Sequence, residues 1–236
     1  MALGNKTLDD LLNPISRQLG NASVAENVEM PTWEFTPSRL TDGKSHAELV
    51  DMFVSEAEKI RVQVSRCSAA GLADCILSIV AQGVPESGEP CSVVAADEKL
   101  FAENGVYDAV SNASSVTKLT VWDETRGQEN VDAALVATYG ITYATGGIAE
   151  TGTVVQPTNP KCGRAVSLLP LVHIAVVDAA TIQPTMLEVM KDLETKKGSL
   201  PSQVCFISGP SATADIELVR VEGVHGPMYV HYIVVE

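Results

Sequence analysis

The chain has 236 residues, and 16 Lys and Arg against 30 Asp and Glu give a net charge of −14 with its four His neutral. That length suits one large domain or one domain with an arm, and a hydrophobic fraction of 45% fills a real core, which excludes general disorder. The acidic balance repels phosphate backbones and no Lys/Arg cluster offsets it, so nucleic acid is excluded as a partner.

In chain order, Leu8, Leu11, Leu12, Ile15 and Leu19 recur at helical spacing, and Pro31, Trp33, Phe35 and Pro37 follow in a stretch that cannot stay helical. Residues 1–44 therefore read as an N-terminal helix and an extended arm. The two aromatics of the arm are expected to pack onto the body or onto a second copy, in a homo-oligomer. Residues 45–236 read as a single α/β domain. Ser45-His-Ala-Glu48 has capping-box spacing, so a long helix is predicted to begin there, with Leu49, Phe53, Ala57, Ile60 and Val64 as its buried stripe. From Cys91 onward, β-rich runs at 92–95, 119–122, 141–143, 153–155, 174–177, 204–207 and 229–235 alternate with helical segments at 98–110, 130–138 and 184–197. Gly198 stops the last helix. Alternation of this kind predicts an α/β fold with a mixed, mostly parallel sheet flanked by helices. The passages 141–155 and 204–235 leave no room for a helix, so some antiparallel pairing is expected within the sheet.

No uncharged stretch is apolar enough for a transmembrane segment, and the N-terminus is acidic where a secretory signal needs positive charge. The five cysteines, Cys67, Cys75, Cys91, Cys162 and Cys205, contain no C-x-x-C, so neither a disulfide framework nor a zinc or iron–sulfur cradle is predicted. A reducing cytoplasm is the expected location. No nucleotide-binding glycine motif and no G-x-S-x-G elbow is present, so no cofactor is expected from a recognisable motif.

Polar and glycine residues concentrate at 146–152, 163–170, 208–217 and 223–227, each near the end of a β-rich run, where open α/β sheets place a ligand crevice. Glu150 stands among small residues as a base or nucleophile, or else as a cap on a turn amide. Arg164 suits a bidentate hold on a substrate carboxylate, with a surface ion pair as the alternative. Ser208, Gly209 and Ser211 offer hydroxyls and close backbone approach to an anion. Asp215, Glu217 and His225 form an acid/base or metal set, although their spacing matches no metal motif and no metal is assigned. His173, inside an apolar run, is expected to be a hydrogen-bonded core histidine, which makes His225 the better catalytic candidate.

Taken together, Ala149-Glu-Thr-Gly-Thr-Val-Val155, Gly163-Arg-Ala-Val-Ser-Leu-Leu-Pro170, Phe206-Ile-Ser-Gly-Pro-Ser-Ala-Thr-Ala-Asp-Ile-Glu217 and Gly223-Val-His-Gly-Pro227 closely resemble the lactate utilization protein C family (LutC/YkgG), which carries a LUD domain. Pro31-Thr-Trp33 and Val121-Trp-Asp123 resemble earlier landmarks of that family, whereas the loop at 156–162 is less like it. The resemblance implies a NagB/RpiA/CoA-transferase-like fold. It also implies a part in oxidising L-lactate to pyruvate, alongside partner proteins that carry the iron–sulfur clusters. On this reading the chain is a component of an iron–sulfur-dependent lactate dehydrogenase complex and is not active alone. Glu150, His225 and Asp215 are the catalytic candidates. Thr151, Gly152, Arg164, Ser167, Ser208, Gly209, Ser211 and Glu217 are the candidates for binding a small carboxylate. The alternatives are a CoA-transferase-like or sugar-phosphate-binding enzyme that uses Glu150, or a ligand-free assembly adaptor.

Overall fold

The computed structural model describes residues 8–20, 39–195, 198–213 and 221–236. They fall into two units divided between Arg39 and Leu40. The first holds one described helix, α1 (Leu8–Gln18), where the apolar spacing predicted it. The arm residues Pro31, Trp33, Phe35 and Pro37 lie outside the described residues.

The second unit opens on α2 (His46–Lys59), whose capping box is formed: Glu48 N–H donates to Ser45 Oγ, and Ser45 N–H donates to Glu48 Oε2 at 2.8 Å. The helix ends earlier than its apolar stripe suggests. Arg61 takes a left-handed φ of 68°, its N–H donates to the Glu58 carbonyl, and Val62 N–H reaches back to the Ala57 carbonyl. Both bonds satisfy orphan carbonyls in the pattern that usually has a glycine at this position. Val64 consequently belongs to a strand, β1 (Gln63–Cys67), and not to the helix. Next come α3 (Leu72–Val80) and β2 (Cys91–Ala95). The helical segment expected at 98–110 is two helices, α4 (Lys99–Glu103) and α5 (Val106–Ser111), because Gly105 between them has a φ of 68°.

The chain continues through β3 (Val116–Val121), α6 (Gln128–Leu135), β4 (Tyr139–Ala144), β5 (Gly146–Ile148), β6 (Thr153–Pro157), α7 (Ala165–Leu168) and β7 (Val172–Asp178). It ends with β8 (Ile182–Gln183), α8 (Met186–Thr195), β9 (Val204–Ile207), β10 (Ala212–Thr213), β11 (Val221–Glu222) and β12 (Tyr229–Val235).

Six strands form the main sheet in the order β1-β12-β7-β4-β2-β3, and every neighbouring pair is parallel. The antiparallel pairing expected inside that sheet lies instead in a second one, ordered β8-β5-β6-β9, where β6 runs against both β5 and β9. One residue, Thr145, separates β4 from β5, so the chain steps from one sheet to the other without a helix. Successive side chains of a strand point to opposite faces. In β7, Ile174 and Val176 join the core under α3, α5 and α6, whereas Ala175 and Val177 join the core that α2 and the second sheet cover. Phe53 of α2 stacks on Tyr232 of β12 in this second core, with ring centroids 5.7 Å apart. On the far side of the second sheet, α8 adds Val189 to a small cluster with Ile148 and Val155.

Candidate functional site

A cleft of about 410 Å³ opens where the amino ends of β7 and β12 meet β9 of the second sheet. Ser167 of α7 and His173 of β7 form one wall, and the turn Ser208, Gly209 and Ser211 after β9 forms another. His225, before β12, closes it. Five of the predicted positions, Ser167, Ser208, Gly209, Ser211 and His225, are thereby brought together from three separate segments of the chain. The placement relative to the sheet differs from expectation. The segments 163–170 and 223–227 lead into β7 and β12, so the cleft lies at the amino ends of these strands, opposite the carboxyl ends that the crevice rule favours.

The hydroxyls of the cleft are ordered by their neighbours. Ser208 Oγ bonds Thr153 Oγ1 at 2.7 Å, and Thr153 Oγ1 bonds Thr151 Oγ1 at 2.7 Å, a relay of three hydroxyls leading away from the cleft. Ser211 Oγ accepts from His225 N–H at 3.3 Å, which ties the two loops to each other. Ser167 Oγ donates to the Arg164 carbonyl at 3.2 Å. Arg164 itself is exposed, and its Nη1 donates to Oε1 of Gln203, a residue of the cleft wall, at 2.7 Å. The guanidinium therefore stands beside the cleft without lining it. None of the described residues lining the cleft is an Asp or Glu, in a chain that carries 30 of them.

Other predicted positions are placed elsewhere. Glu150 Oε1 accepts from Met186 N–H at 3.4 Å at the start of α8, so this carboxylate caps an amide at a helix N-terminus, the alternative use named for it. Gly152 has a φ of 58° and packs on α2, where a Cβ would come within 2.3 Å of the Ala57 nitrogen. Gly209 has a φ of 75°, and there a Cβ would come within 2.7 Å of the Ile60 carbonyl oxygen at the end of the same helix. Both glycines thus set how closely the second sheet and its following turn approach α2, and Gly209 lines the cleft as well. Asp215 and Glu217 lie outside the described residues.

Among the wall residues outside the candidate set, Gln203 and His173 have side chains that hydrogen-bond. Gln203 carried no sequence signal, since a lone Gln ahead of a short strand is ordinary surface chemistry. His173 was read as a core histidine, and it is fully buried with Nε2 2.9 Å from Thr142 Oγ1, yet it also faces the cleft. Burial pulls its pKa down to about 4.

The LUD domain model matches residues 50–235. The chain belongs to the lactate utilization protein C family. It is 32% identical over 240 residues to lactate utilization protein C of Oceanobacillus iheyensis, with all of both chains covered. It is 33% identical to that of Bacillus subtilis, covering 96% of this chain and 95% of the relative. A crystal structure of a DUF162 family protein from Deinococcus radiodurans is similar in fold, with a TM-score of 0.56 at 21% identity, over 82% of this chain and 99% of that one.

The LUD domain has a second, larger hollow of about 670 Å³ at the carboxyl ends of β2 and β3, lined by Trp122 together with Asp97, Asp123, Arg126 and Lys161. Both cations in its wall are paired within it, Lys161 with Asp97 at 3.6 Å and Arg126 with Asp123 at 3.3 Å. Among the described residues, no group of three or more His, Cys, Asp or Glu is arranged to hold a metal ion. No described helix is long and apolar enough to cross a membrane.

Proposed function

We propose that this chain is the subunit of an L-lactate oxidation system that binds the small 2-hydroxy or 2-oxo acid, while iron–sulfur partner proteins carry the electrons. The observation that carries this reading is the cleft wall. In a chain with a net charge of −14, its described lining has hydroxyls, amides and imidazoles and no carboxylate, which suits an anionic ligand. Full-length relatives named for lactate utilization supply the ligand class. Ser208 and Ser211 offer hydroxyls to the carboxylate, Arg164 adds positive charge at the rim, and His225, which lines the cleft, is assigned the exchange of the hydroxyl proton. Glu150 has no part in this scheme, because its carboxylate caps α8.

The five free cysteines follow no cluster-ligating spacing, so the electrons are assigned to partners, and free thiols suit a reducing cytoplasm. Leu168, Leu169 and Leu171 are exposed beside the cleft, with Val224 next to His225, an apolar border of the kind a partner subunit covers.

Anaerobic purification of the tagged chain from its own cells tests the proposal, with iron and labile sulfide assayed and lactate-dependent dye reduction followed. Iron-containing partners and a dye reduction that is lost without this chain are expected. A chain that purifies alone, with no iron and no lactate-dependent activity, would overturn the reading.

A further inference from the structure

Two buried side-chain atoms among the described residues have no hydrogen-bond partner, His173 Nδ1 and Gln156 Oε1. Buried polar atoms left unpaired cost more than an ordinary hydrogen bond returns, so each requires an explanation. Gln156 lines a crevice beside Cys162 with no room for a water, which leaves no space for a ligand there. His173 differs, because it lines the open cleft.

The geometry points to His173 as a ligand-binding residue of the cleft, its Nδ1–H donating to an oxygen of the bound small acid. The tautomer follows from Thr142, which is fully buried and whose hydroxyl has the His173 ring as its hydrogen-bond partner. A buried hydroxyl with one partner donates to it, since a stranded proton is rarer and costlier than a stranded lone pair. Thr142 therefore donates to Nε2, and the ring proton sits on Nδ1. In β7 the His173 side chain stands beside Val230 of β12, its register partner, which also lines the cleft. Ser167 lies on the helix just before the strand. A donor there complements an acceptor oxygen, a carboxylate or a 2-oxo group, which reaches Nδ1 once the side chains around it shift enough to uncover it. Burial holds the ring neutral near pH 7, so it acts as a dipole and not as a counter-charge. The identity of the acid rests on the functional reading above. The role of Nδ1 rests on the unpaired atom and the cleft.

The test follows His173 directly in the full chain, by nitrogen NMR of labelled imidazoles during titration with sodium pyruvate, L-lactate, acetate and inorganic phosphate. Affinities for the same four are measured in His173→Gln and His173→Asn. Gln places its amide oxygen where Nε2 was and still accepts from Thr142, whereas Asn places its amide NH2 where Nδ1 was. The expected result is a shift of Nδ1 with pyruvate or lactate. Binding should be about ten-fold or more weaker in His173→Gln and within about three-fold of wild type in His173→Asn. A shift with acetate or phosphate but not with pyruvate or lactate would uphold Nδ1 as the binding atom and remove the lactate reading. Binding of pyruvate or lactate with Nδ1 unmoved and His173→Gln unimpaired would overturn the role of His173 and leave the lactate reading standing. No binding of any of the four would overturn both.

Discussion

Two hollows of the LUD domain lie at opposite ends of the same parallel sheet, one at the carboxyl ends of β2 and β3 and the other at the amino ends of β7 and β12, and they differ in where their polar groups find partners. At the carboxyl end, the larger hollow has its Lys161 and Arg126 already paired with Asp97 and Asp123. At the amino end, the smaller cleft has no described carboxylate in its wall and keeps a buried imidazole nitrogen unpaired. Size and position in the sheet favour the first hollow as a binding site. Unmet hydrogen-bonding capacity favours the second, and that capacity decides where a small anion gains most on binding.

The comparison breaks most visibly if the glycines near α2 are altered. Gly152→Ala places a methyl within 2.3 Å of the Ala57 backbone at a left-handed φ, so the helix must move. A stability loss of about 3 kcal/mol or more is expected in urea unfolding. Unchanged stability with lost ligand binding would instead make Gly152 a contact of the ligand.

Acid acts on the amino-end cleft through His173. His173 has a pKa of about 4 in the folded chain, against roughly 6.5 when unfolded. Below pH 6.5 the unfolded chain takes up a proton that the folded chain refuses, so stability falls as pH drops from about 6.5 to about 4 and levels off below. The loss amounts to as much as about 3 kcal/mol, and His231, whose pKa burial also lowers, acts in the same direction. Urea midpoints at about pH 7 and pH 4.5 should therefore converge in His173→Asn relative to the wild type. An equal fall in both proteins would show that His173 already takes up its proton while folded.

Smaller effects sharpen the contrast between the hollows. Ser208→Ala and His225→Ala are each expected to weaken pyruvate binding by about ten-fold with little change in stability, measured by calorimetry. Arg126→Ala and Lys161→Ala remove exposed ion pairs at the other hollow, and should change stability by about 0.5 kcal/mol or less and binding not at all. Glu150→Gln weakens the contact at the start of α8 by about 0.3–1 kcal/mol and leaves binding intact. Loss of binding in Glu150→Gln would restore that carboxylate to the site.

Much of this arrangement is legible in the sequence wherever the signal is local. The capping box at Ser45 is a short-range exchange of hydrogen bonds, and the apolar runs 174–177 and 232–235 contain only residues that a doubly covered parallel strand needs. The end of α2 was not legible, because Arg61 occupies a left-handed position where the usual mark is a glycine. The strand Gly146–Ile148 was hidden for a related reason: a three-residue strand with two glycines has no hydrophobic period to read. At the site, residue types in 208–211 and 223–227 pointed to loops that line one cleft. Which end of the sheet they reach depends on β9 leaving the main sheet, a tertiary choice. His173 is the buried, hydrogen-bonded histidine that its apolar neighbours predict, but the sequence shows only the burial and hides the unpaired nitrogen beside the cleft.

The most direct measurement is a crystal structure of the full chain with pyruvate. Density for the acid within hydrogen-bonding distance of His173 Nδ1, between Ser208 and His225, is the predicted result. Density against Trp122 at the carboxyl ends of β2 and β3, with the amino-end cleft holding only water, would contradict the account.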